Sequence, residues 1–237
     1  MKLLAFESSA KAASTALLSD GCLLAEYTQN SGQTHSRTLM EMAKNMIAGC
    51  DLTPQDIDAV AVAAGPGSFT GIRIGMACAK GFAWGRQLPL YGVSTLEAMV
   101  RGAACADGIY CACMDARKGQ IYNALFEQRN GSLTRLTEDR AIAVSELAQQ
   151  LEVQTQCVWL VGDGAKLVSD TLAGSGLPLR LYPAHLCQQH ASGVALAAMQ
   201  RIAAADPGDA AALSPNYLRQ AQAERTRQQD KDFYLKK

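Results

Sequence analysis

The feature that most constrains this sequence is a pattern of three strands and a helix that occurs twice. Near the N-terminus, KLLAFESS, STALLSD and CLLAEYTQ predict strands, Asp20–Gly21 predicts a hairpin turn, and HSRTLMEMAKNMIAGC predicts a helix. Later in the chain, GIYCACMDA, QIYNALFEQ and SLTRLTED predict three more strands, and VSELAQQL opens a helix with Ser145 as its expected cap. This repetition predicts two similar α/β halves.

The remaining segments complete the two halves. AVAVAA and LPLYGV predict strands on either side of a helix that ends at about Gly85, and a capping box of Ser94 with Glu97 begins the next helix. CVWLVGDG predicts a strand, AKLVSDTL a helix, and SGVALAAMQRIAAAD a long helix that ends at Pro207–Gly208. The 237 residues suit two compact units of about 100 residues each. We expect an N-terminal lobe over residues 1–103, a C-terminal lobe over 104–218 and a polar tail over 219–237.

Composition excludes several classes of protein. Lys and Arg together number 22, as do Asp and Glu, so the chain lacks the broad positive field of an autonomous nucleic-acid-binding protein. No run approaches the ~20 apolar residues of a membrane span, and the start MKLLAFESSAKAAST does not resemble a signal peptide. The eight cysteines form no CxxC pair, which favours small buried apolar groups over a metal or disulfide role. We expect a cytoplasmic protein that reaches any RNA through a partner.

The segment GPGSFTG lies between a predicted strand and a predicted helix. Gly65, Gly67 and Gly71 have the spacing GxGxxxG, which matches neither a dinucleotide-binding fingerprint nor a P-loop. A tight turn with a helix cap is the favoured interpretation. Alternatively, the amides that begin the helix hold an anion, with the hydroxyls of Ser68 and Thr70 beside them.

The helix that follows this loop is unusually rich in glycine. Gly71, Gly75 and Ala79 are four residues apart, as are Gly81 and Gly85. Each helical glycine costs about 1 kcal/mol relative to alanine, so we expect another element to pack close to this backbone. That element is either the chain's own sheet or another chain.

Four segments carry a resemblance to a known family: GPGSFTGIRIG, GVSTLEAM, DARKGQIY and PNYLR. Their order and spacing resemble those of the bacterial TsaB (YeaZ) family over nearly the whole chain. The resemblance implies a two-lobed fold of the actin/hexokinase/Hsp70 ATPase type. It also implies a non-catalytic partner of the paralogue TsaD, which transfers a threonylcarbamoyl group to N6 of adenosine 37 in tRNAs reading ANN codons. TsaE, an ATPase, is the further partner that the resemblance implies, and tRNA is reached through the complex.

The histidines argue against a metal centre. The resemblance implies that the catalytic paralogue holds its metal with two histidines four residues apart, and Thr95 and Met99 occupy those positions here. A catalytic zinc or iron site needs about three converging ligands, whereas the chain has only three histidines: His35 opens the first helix, and His185 and His190 are five residues apart in a loop-like region. We therefore expect neither a metal site nor catalytic residues. The alternative is an independent enzyme of the same fold, either a small-molecule kinase or a metallopeptidase.

The resemblance also places a nucleotide site between the first hairpins of the two lobes. ESSAK and DARKG are those hairpins here, and GDGA matches the glycine loop beside the adenosine. Long side chains fill the second hairpin, so we expect no cofactor of the chain's own but leave open weak or partner-completed binding of ATP or ADP. The candidate residues are Glu7, Ser8, Ser9, Asp115, Arg117, Lys118, Gly162 and Gly164. The alternative interpretation of Gly162–Asp163–Gly164 is a plain turn from strand to helix.

The partner surface is expected on two helices, which the resemblance implies pair with their counterparts in the paralogue as a four-helix bundle. The helix over residues 36–49 is expected to bury Leu39, Ala43, Met46 and Ile47. The glycine-rich helix is expected to direct Ile74, Cys78 and Phe82 to one side, which leaves Ile72, Arg73, Met76 and Lys80 along another. The candidate interface residues are Arg37, Met40, Lys44, Gly71, Ile72, Arg73, Gly75, Met76, Ala79 and Lys80. A homodimer of the isolated chain is left open.

Overall fold

The first lobe is built on a five-stranded sheet. The computed structural model describes residues 1–219, so all but the first residue of the predicted polar tail lies outside it. The strands are β1 (Lys2–Glu7), β2 (Ala13–Ser19), β3 (Cys22–Gln29), β4 (Ala59–Gly65) and β5 (Leu90–Ser94), in the order β3-β2-β1-β4-β5. Strand β1 is antiparallel to β2 and parallel to β4. The helices are α1 (His35–Gly49), α2 (Phe69–Arg86) and α3 (Thr95–Ala103), with a 3₁₀ turn over Pro54–Asp56.

The second lobe repeats this arrangement. Its strands are β6 (Gly108–Asp115), β7 (Gln120–Arg129), β8 (Ser132–Arg135), β9 (Arg140–Ala143), β10 (Val158–Val161) and β11 (Leu179–Leu181). The order is β11-β10-β6-β7-β8, and β9 pairs with the other half of β7. The helices are α4 (Val144–Leu151), α5 (Ala165–Thr171) and α6 (Ala191–Ala203), with a 3₁₀ turn over Ala184–Leu186.

The two sheets share one topology. In each, three antiparallel strands follow one another along the chain, and two parallel strands continue the sheet beyond the first of them. The strand-and-helix repetition in the sequence is therefore a duplication in three dimensions. This is the two-lobed fold of the actin/hexokinase/Hsp70 ATPase type, as expected.

Helix α6 departs from the predicted domain division. It follows the second sheet in sequence but packs on the first, where Ala191, Val194 and Ala198 join Leu3 and Ala5 in one core cluster. Gly193 allows α6 to approach α3, because a Cβ there would overlap the carbonyl oxygen of Ala98. Assigning all of residues 104–218 to the C-terminal lobe is therefore wrong for α6. An apolar helix face specifies burial, not which of two apolar sheets buries it.

Two predicted helix caps have different outcomes. Ser94 caps α3 as expected, and its Oγ accepts a hydrogen bond of 3.2 Å from the Glu97 N–H. Ser145 does not cap α4, which begins at Val144 with Ala143 in the cap position. Strand β9 pairs with β7 up to Ala143 and leads directly into the helix, so no polar residue separates the two elements.

The cysteines are less uniformly buried than expected. Cys111, Cys113 and Cys187 are buried, whereas Cys22 and Cys105 are exposed, and all eight are free thiols. Cys111 and Cys113 lie on the same face of β6, with their sulfurs 3.5 Å apart.

Candidate interlobe cleft and partner face

The glycine loop after β4 is a tight turn fitted to the first hairpin. Ser68 caps α2, with its Oγ accepting a hydrogen bond of 3.2 Å from the Gly71 N–H. The Ser68 N–H donates to the Ser9 carbonyl at 2.6 Å. Gly67 has φ +157°, and a Cβ there would overlap the same carbonyl group. The turn-and-cap interpretation is therefore confirmed.

The glycines in the first half of α2 fit the helix to its own sheet. A Cβ at Gly71 would overlap the Ser8 carbonyl oxygen, and one at Gly75 would overlap Ser8 Oγ. Ser8 Oγ donates a hydrogen bond of 2.9 Å to the Gly71 carbonyl, which fixes this contact. Gly81 and Gly85 differ, because a Cβ at either would meet no atom within 4 Å. The sequence left two candidates for the element close to this helix, the chain's own sheet or another chain. For Gly71 and Gly75 the close neighbour is Ser8 of the same chain, directly after β1.

Half of the predicted partner residues consequently face inward. Ile72 and Met76 are only 1% and 5% exposed, and Met76 and Ala79 belong to the core beneath α1 and α2. The assignment of Gly71, Ile72, Gly75, Met76 and Ala79 to a partner surface is wrong. Apolar residues surround α2 on most sides, so their spacing did not distinguish its inner from its outer face.

The other predicted partner residues lie on the outside. Helix α1 buries Leu39, Ala43, Met46 and Ile47 as expected, and Met42 with them. Arg37, Met40 and Lys44 are exposed on α1, Arg73 is exposed on α2, and Lys80 is half-buried. Sequence reasoning missed Trp84, which is 82% exposed near the end of α2 between the two open glycines. We call these residues the α1–α2 outer face: Arg37, Met40, Lys44, Arg73, Gly81, Trp84 and Gly85.

A cleft of about 600 Å³ lies between the lobes. It brings together five parts of the chain: the β1–β2 hairpin, the start of α2, the β6–β7 hairpin, the turn from β10 to α5 and residues 216–219. Among the predicted nucleotide residues, Ser9, Asp115 and Arg117 line it. Aromatic and charged side chains that the sequence did not single out also line it, namely Lys11, Phe69, Tyr122, Asp163, Tyr217 and Arg219.

Two carboxylates, one from each lobe, lie at the cleft: Glu7 is buried behind its surface, and Asp163 is exposed and lines it. Glu7 is fully buried, and its Oε1 accepts a hydrogen bond of 2.6 Å from the Ser9 N–H. Burial raises the pKa of Glu7 to about 7. Desolvation of its carboxylate also raises the pKa of Asp163, whose Oδ1 accepts a hydrogen bond of 2.9 Å from Gln189 Nε2. Glu7 Oε2 and Ser9 Oγ are buried without a hydrogen-bond partner in the described part of the chain.

The second lobe contributes less to the cleft than the resemblance implied. Gly162 and Gly164 do not line it, because they close the turn from β10 to α5 against β6. The Gly164 N–H donates to the Cys113 carbonyl at 3.0 Å, and a Cβ at Gly162 would overlap the same oxygen. The plain-turn alternative is therefore the one the structure has. Arg117 and Lys118 are exposed in the β6–β7 turn, with φ of +63° and +56°.

The charges in the cleft are mixed. Lys11, Arg117 and Arg219 would attract a phosphate, whereas Asp115 and Asp163 would repel one that carries no cation. The unpartnered hydroxyl of Ser9 suits a polar ligand. Binding of ATP or ADP stays a prediction.

The three histidines lie apart. His35 Nε2 is 2.9 Å from the Ala10 carbonyl oxygen, and His190 Nδ1 lies 3.5 Å from Glu26 Oε2. Glu26 raises the pKa of His190 by hydrogen bonding to it. Across residues 1–219, no three His, Cys, Asp or Glu side chains converge as metal ligands would. Thr95 and Met99 are both buried on α3, and the Met99 sulfur lies 3.5 Å from Gln189 Nε2.

Comparison with known proteins identifies the family. Residues 23–231 match the family model described as "TsaD: tRNA N6-adenosine threonylcarbamoyltransferase". The TsaB protein of Bacillus subtilis, named a tRNA threonylcarbamoyladenosine biosynthesis protein, is 32% identical over 94% of this chain and 96% of its own. The chain belongs to the TsaB (YeaZ) family. The TsaB protein of Escherichia coli is 33% identical over 83% of this chain and 90% of its own.

A solved TsaB-family structure has the same fold. YeaZ from Pseudomonas aeruginosa superposes with a TM-score of 0.78 at 25% identity, covering 92% of this chain and 99% of that protein. The family resemblance seen in the sequence is thus confirmed by both sequence and structure. Among the helices described for this TsaB-family chain, none has the length and apolar character needed to cross a membrane.

Proposed function

We propose that this chain is a non-catalytic subunit of the machinery that makes N6-threonylcarbamoyladenosine at position 37 of tRNAs reading ANN codons. Membership of the TsaB family supports the pathway, because the curated relatives carry it in their names. The chain pairs with a TsaD-type paralogue, which performs the transfer. A TsaE-type ATPase is the further partner, and tRNA is contacted through the assembled complex.

The observation that carries the pairing is the α1–α2 outer face. Trp84 is 82% exposed and Met40 is 39% exposed, so the two helices present large apolar groups that the chain itself does not cover. Gly81 and Gly85 flank Trp84 with open space around them, which allows a partner helix to approach closely. Arg37, Lys44 and Arg73 are exposed on the same two helices, and Lys44 lies 3.9 Å from the Glu41 carboxylate. An apolar centre with a charged rim is the usual anatomy of a specific protein interface.

The non-catalytic role is supported by the residues where the paralogue has its histidines. Thr95 and Met99 are buried there, and neither is a zinc or iron ligand of the usual kind. His35 and His190 are hydrogen-bonded elsewhere. The interlobe cleft remains a proposed site for ATP or ADP, bound weakly or completed by the partner.

Calorimetric titration of the chain with its TsaD-type paralogue tests the pairing. Trp84→Ala removes the exposed indole, and Met40→Asp places a charge in the apolar centre, so each should weaken binding by at least about tenfold. Val153→Asp is the matched control, because Val153 is 78% exposed but lies on the second lobe. We expect the control to bind like the unchanged chain.

Two outcomes would contradict the proposal. Absence of binding by the unchanged chain would exclude the heterodimer and favour an independent enzyme of this fold. Full-affinity binding by both folded variants would move the interface away from the α1–α2 outer face. Sedimentation of the chain alone tests whether it forms a homodimer. If such a homodimer uses the α1–α2 outer face, the same two variants should weaken it.

A further inference from the structure

Residues 213–219 cross from the first lobe to the second, and we call them the latch segment. They follow α6, which packs on the first sheet, and pass the ends of β5 and β4. They then run beside the start of α2 and reach the β6–β7 turn of the second lobe. Each stage of this path has its own contacts.

The first anchor holds the latch segment to the carboxyl ends of β4 and β5. The Leu213 side chain occupies the space over Gly92, where a Cβ would overlap its Cδ1. The Asn216 N–H donates to the Ala64 carbonyl at 2.7 Å. The Asn216 backbone carbonyl oxygen lies where a Cβ at Gly65 would be. Two glycines therefore shape the sheet edge to receive this segment.

The second anchor is a stack of aromatic rings and a guanidinium at the start of α2. The rings of Tyr217 and Phe69 are 4.6 Å apart and inclined by 27°. Arg73 lies 3.8 Å over the Phe69 ring, and its Nε donates a hydrogen bond of 2.8 Å to Tyr217 Oη. Stacking, cation–π attraction and a hydrogen bond thus act on the same tyrosine.

The third anchor joins the lobes. Arg219 donates a hydrogen bond of 2.6 Å to the carbonyl of Ala116, which lies in the β6–β7 turn. Ala116, Tyr217 and Arg219 all line the interlobe cleft. The described chain crosses between the sheets twice, after α3 and before α6, and α3 packs on the second sheet in one core cluster with Tyr110 and Phe126. Glu97 on α3 also pairs with Arg135 on β8. Arg219 therefore adds one more noncovalent link, at the cleft wall.

We propose that the latch segment holds the interlobe cleft closed and that release of Tyr217 and Arg219 opens it. The first anchor keeps the segment attached to the first lobe, and the single arginine contact is the part that separates when the lobes part. Opening exposes the floor of the cleft, where Glu7, Ser9 and Asp163 lie. The segment therefore controls how readily a ligand enters the cleft.

Hydrogen exchange of the full chain, followed by mass spectrometry, tests the latch. Arg219→Ala removes the interlobe contact and Tyr217→Ala removes the stack, so each should speed exchange at the cleft floor, residues 7–12 and 162–166, by about fivefold. None of the three anchors described above involves a residue of these floor peptides, so their exchange reports opening and not the local loss of one bond. Arg180→Ala is the control, because Arg180 is exposed on β11 of the second lobe.

For either variant, the pattern of exchange supports or overturns the latch. Faster exchange at the floor in Arg219→Ala, with the control unchanged, supports the latch. Faster exchange confined to residues 114–120 would overturn it, as would no change anywhere. If Tyr217→Ala does not fold, Arg219→Ala decides alone. Tyr217→Phe loses only the hydroxyl that accepts a hydrogen bond from Arg73, so it should speed exchange at the floor in the same direction but by less.

Discussion

At the scale of the residue, the site is governed by where charges are buried. Glu7 ends β1 inside the protein, and only the Ser9 N–H and neighbouring dipoles replace its lost hydration. Its sequence neighbours ESSAK suggested a phosphate-facing hairpin, and Ser9 does line the cleft, but Glu7 and Ser8 lie behind it. Asp163 illustrates the reverse, since a residue read as part of a plain turn supplies a carboxylate that lines the cleft from the other lobe.

The raised pKa of Glu7 predicts a stability that falls as pH rises. The folded state keeps the proton up to about pH 7, whereas the unfolded chain loses it near 4.5, the ordinary pKa of a glutamate side chain. Stability is therefore full below about pH 4.5, declines between there and pH 7, and stays lower above it, by about 3 kcal/mol in all. Glu7→Gln removes this loss, so the variant should exceed the unchanged chain in stability at pH 8 but not at pH 4.5.

Urea unfolding at pH 4.5, 6 and 8 measures that difference. Glu152→Gln is a suitable control, because it makes the same change from carboxyl to amide at an exposed residue beyond α4. Parallel pH curves for Glu7→Gln and the unchanged chain would show that the pKa of Glu7 is the same in the folded and unfolded chain, which would contradict the prediction.

At the scale of the element, α2 joins two different surfaces in one helix. Its first half is pressed against Ser8 of the sheet through Gly71 and Gly75, and its last turns carry Gly81, Trp84 and Gly85 in the open. The glycine pattern correctly predicted a close approach but did not specify that only Gly71 and Gly75 make it. The open glycines beside Trp84 are the signal that could have located the outer face from sequence.

Alanine substitutions within α2 should therefore have opposite signs. Gly71→Ala places a methyl group on the Ser8 carbonyl, a backbone atom that cannot move without the sheet, and should destabilise the fold by about 3 kcal/mol or more. Gly81→Ala meets open space and removes the helical cost of glycine, so it should stabilise by up to about 1 kcal/mol. Thermal unfolding of both variants measures the contrast. Equal effects would mean that the two halves of α2 are not packed differently.

At the scale of the whole molecule, the duplicated sheet order produces a cleft, and α6 with the latch segment ties the end of the described chain back to the first lobe. The first lobe therefore presents the α1–α2 outer face on one helical layer and α6 with α3 on the other. A partner that docks on α2 would also contact Arg73, which belongs to the Tyr217 stack. In the proposed scaffold role, the chain therefore acts by binding partners through its surfaces and not by catalysis in a pocket.

Reconstitution of tRNA modification tests that role. The chain alone should transfer no threonylcarbamoyl group from threonylcarbamoyl-adenylate to tRNA, whereas adding the TsaD-type and TsaE-type proteins should give modification that depends on this chain. Trp84→Ala should lower it with the loss of pairing, and Val153→Asp should not. Nucleoside analysis of the tRNA measures the product. Product formed by the chain alone would show that it is the enzyme.

The sequence by itself determined the order of the elements other than the short strands β9 and β11, and it determined the doubling of the fold. It also determined the inward face of α1, because apolar residues on α1 are confined to one side. It also located the hairpins that form the cleft, since turn residues and strand patterns are local signals. Tertiary structure alone decided which face of α2 is buried, which sheet receives α6 and where the latch segment ends. These depend on contacts between residues distant in sequence, such as Gly71 with Ser8 and Arg219 with Ala116, and no local periodicity encodes which distant atoms will meet.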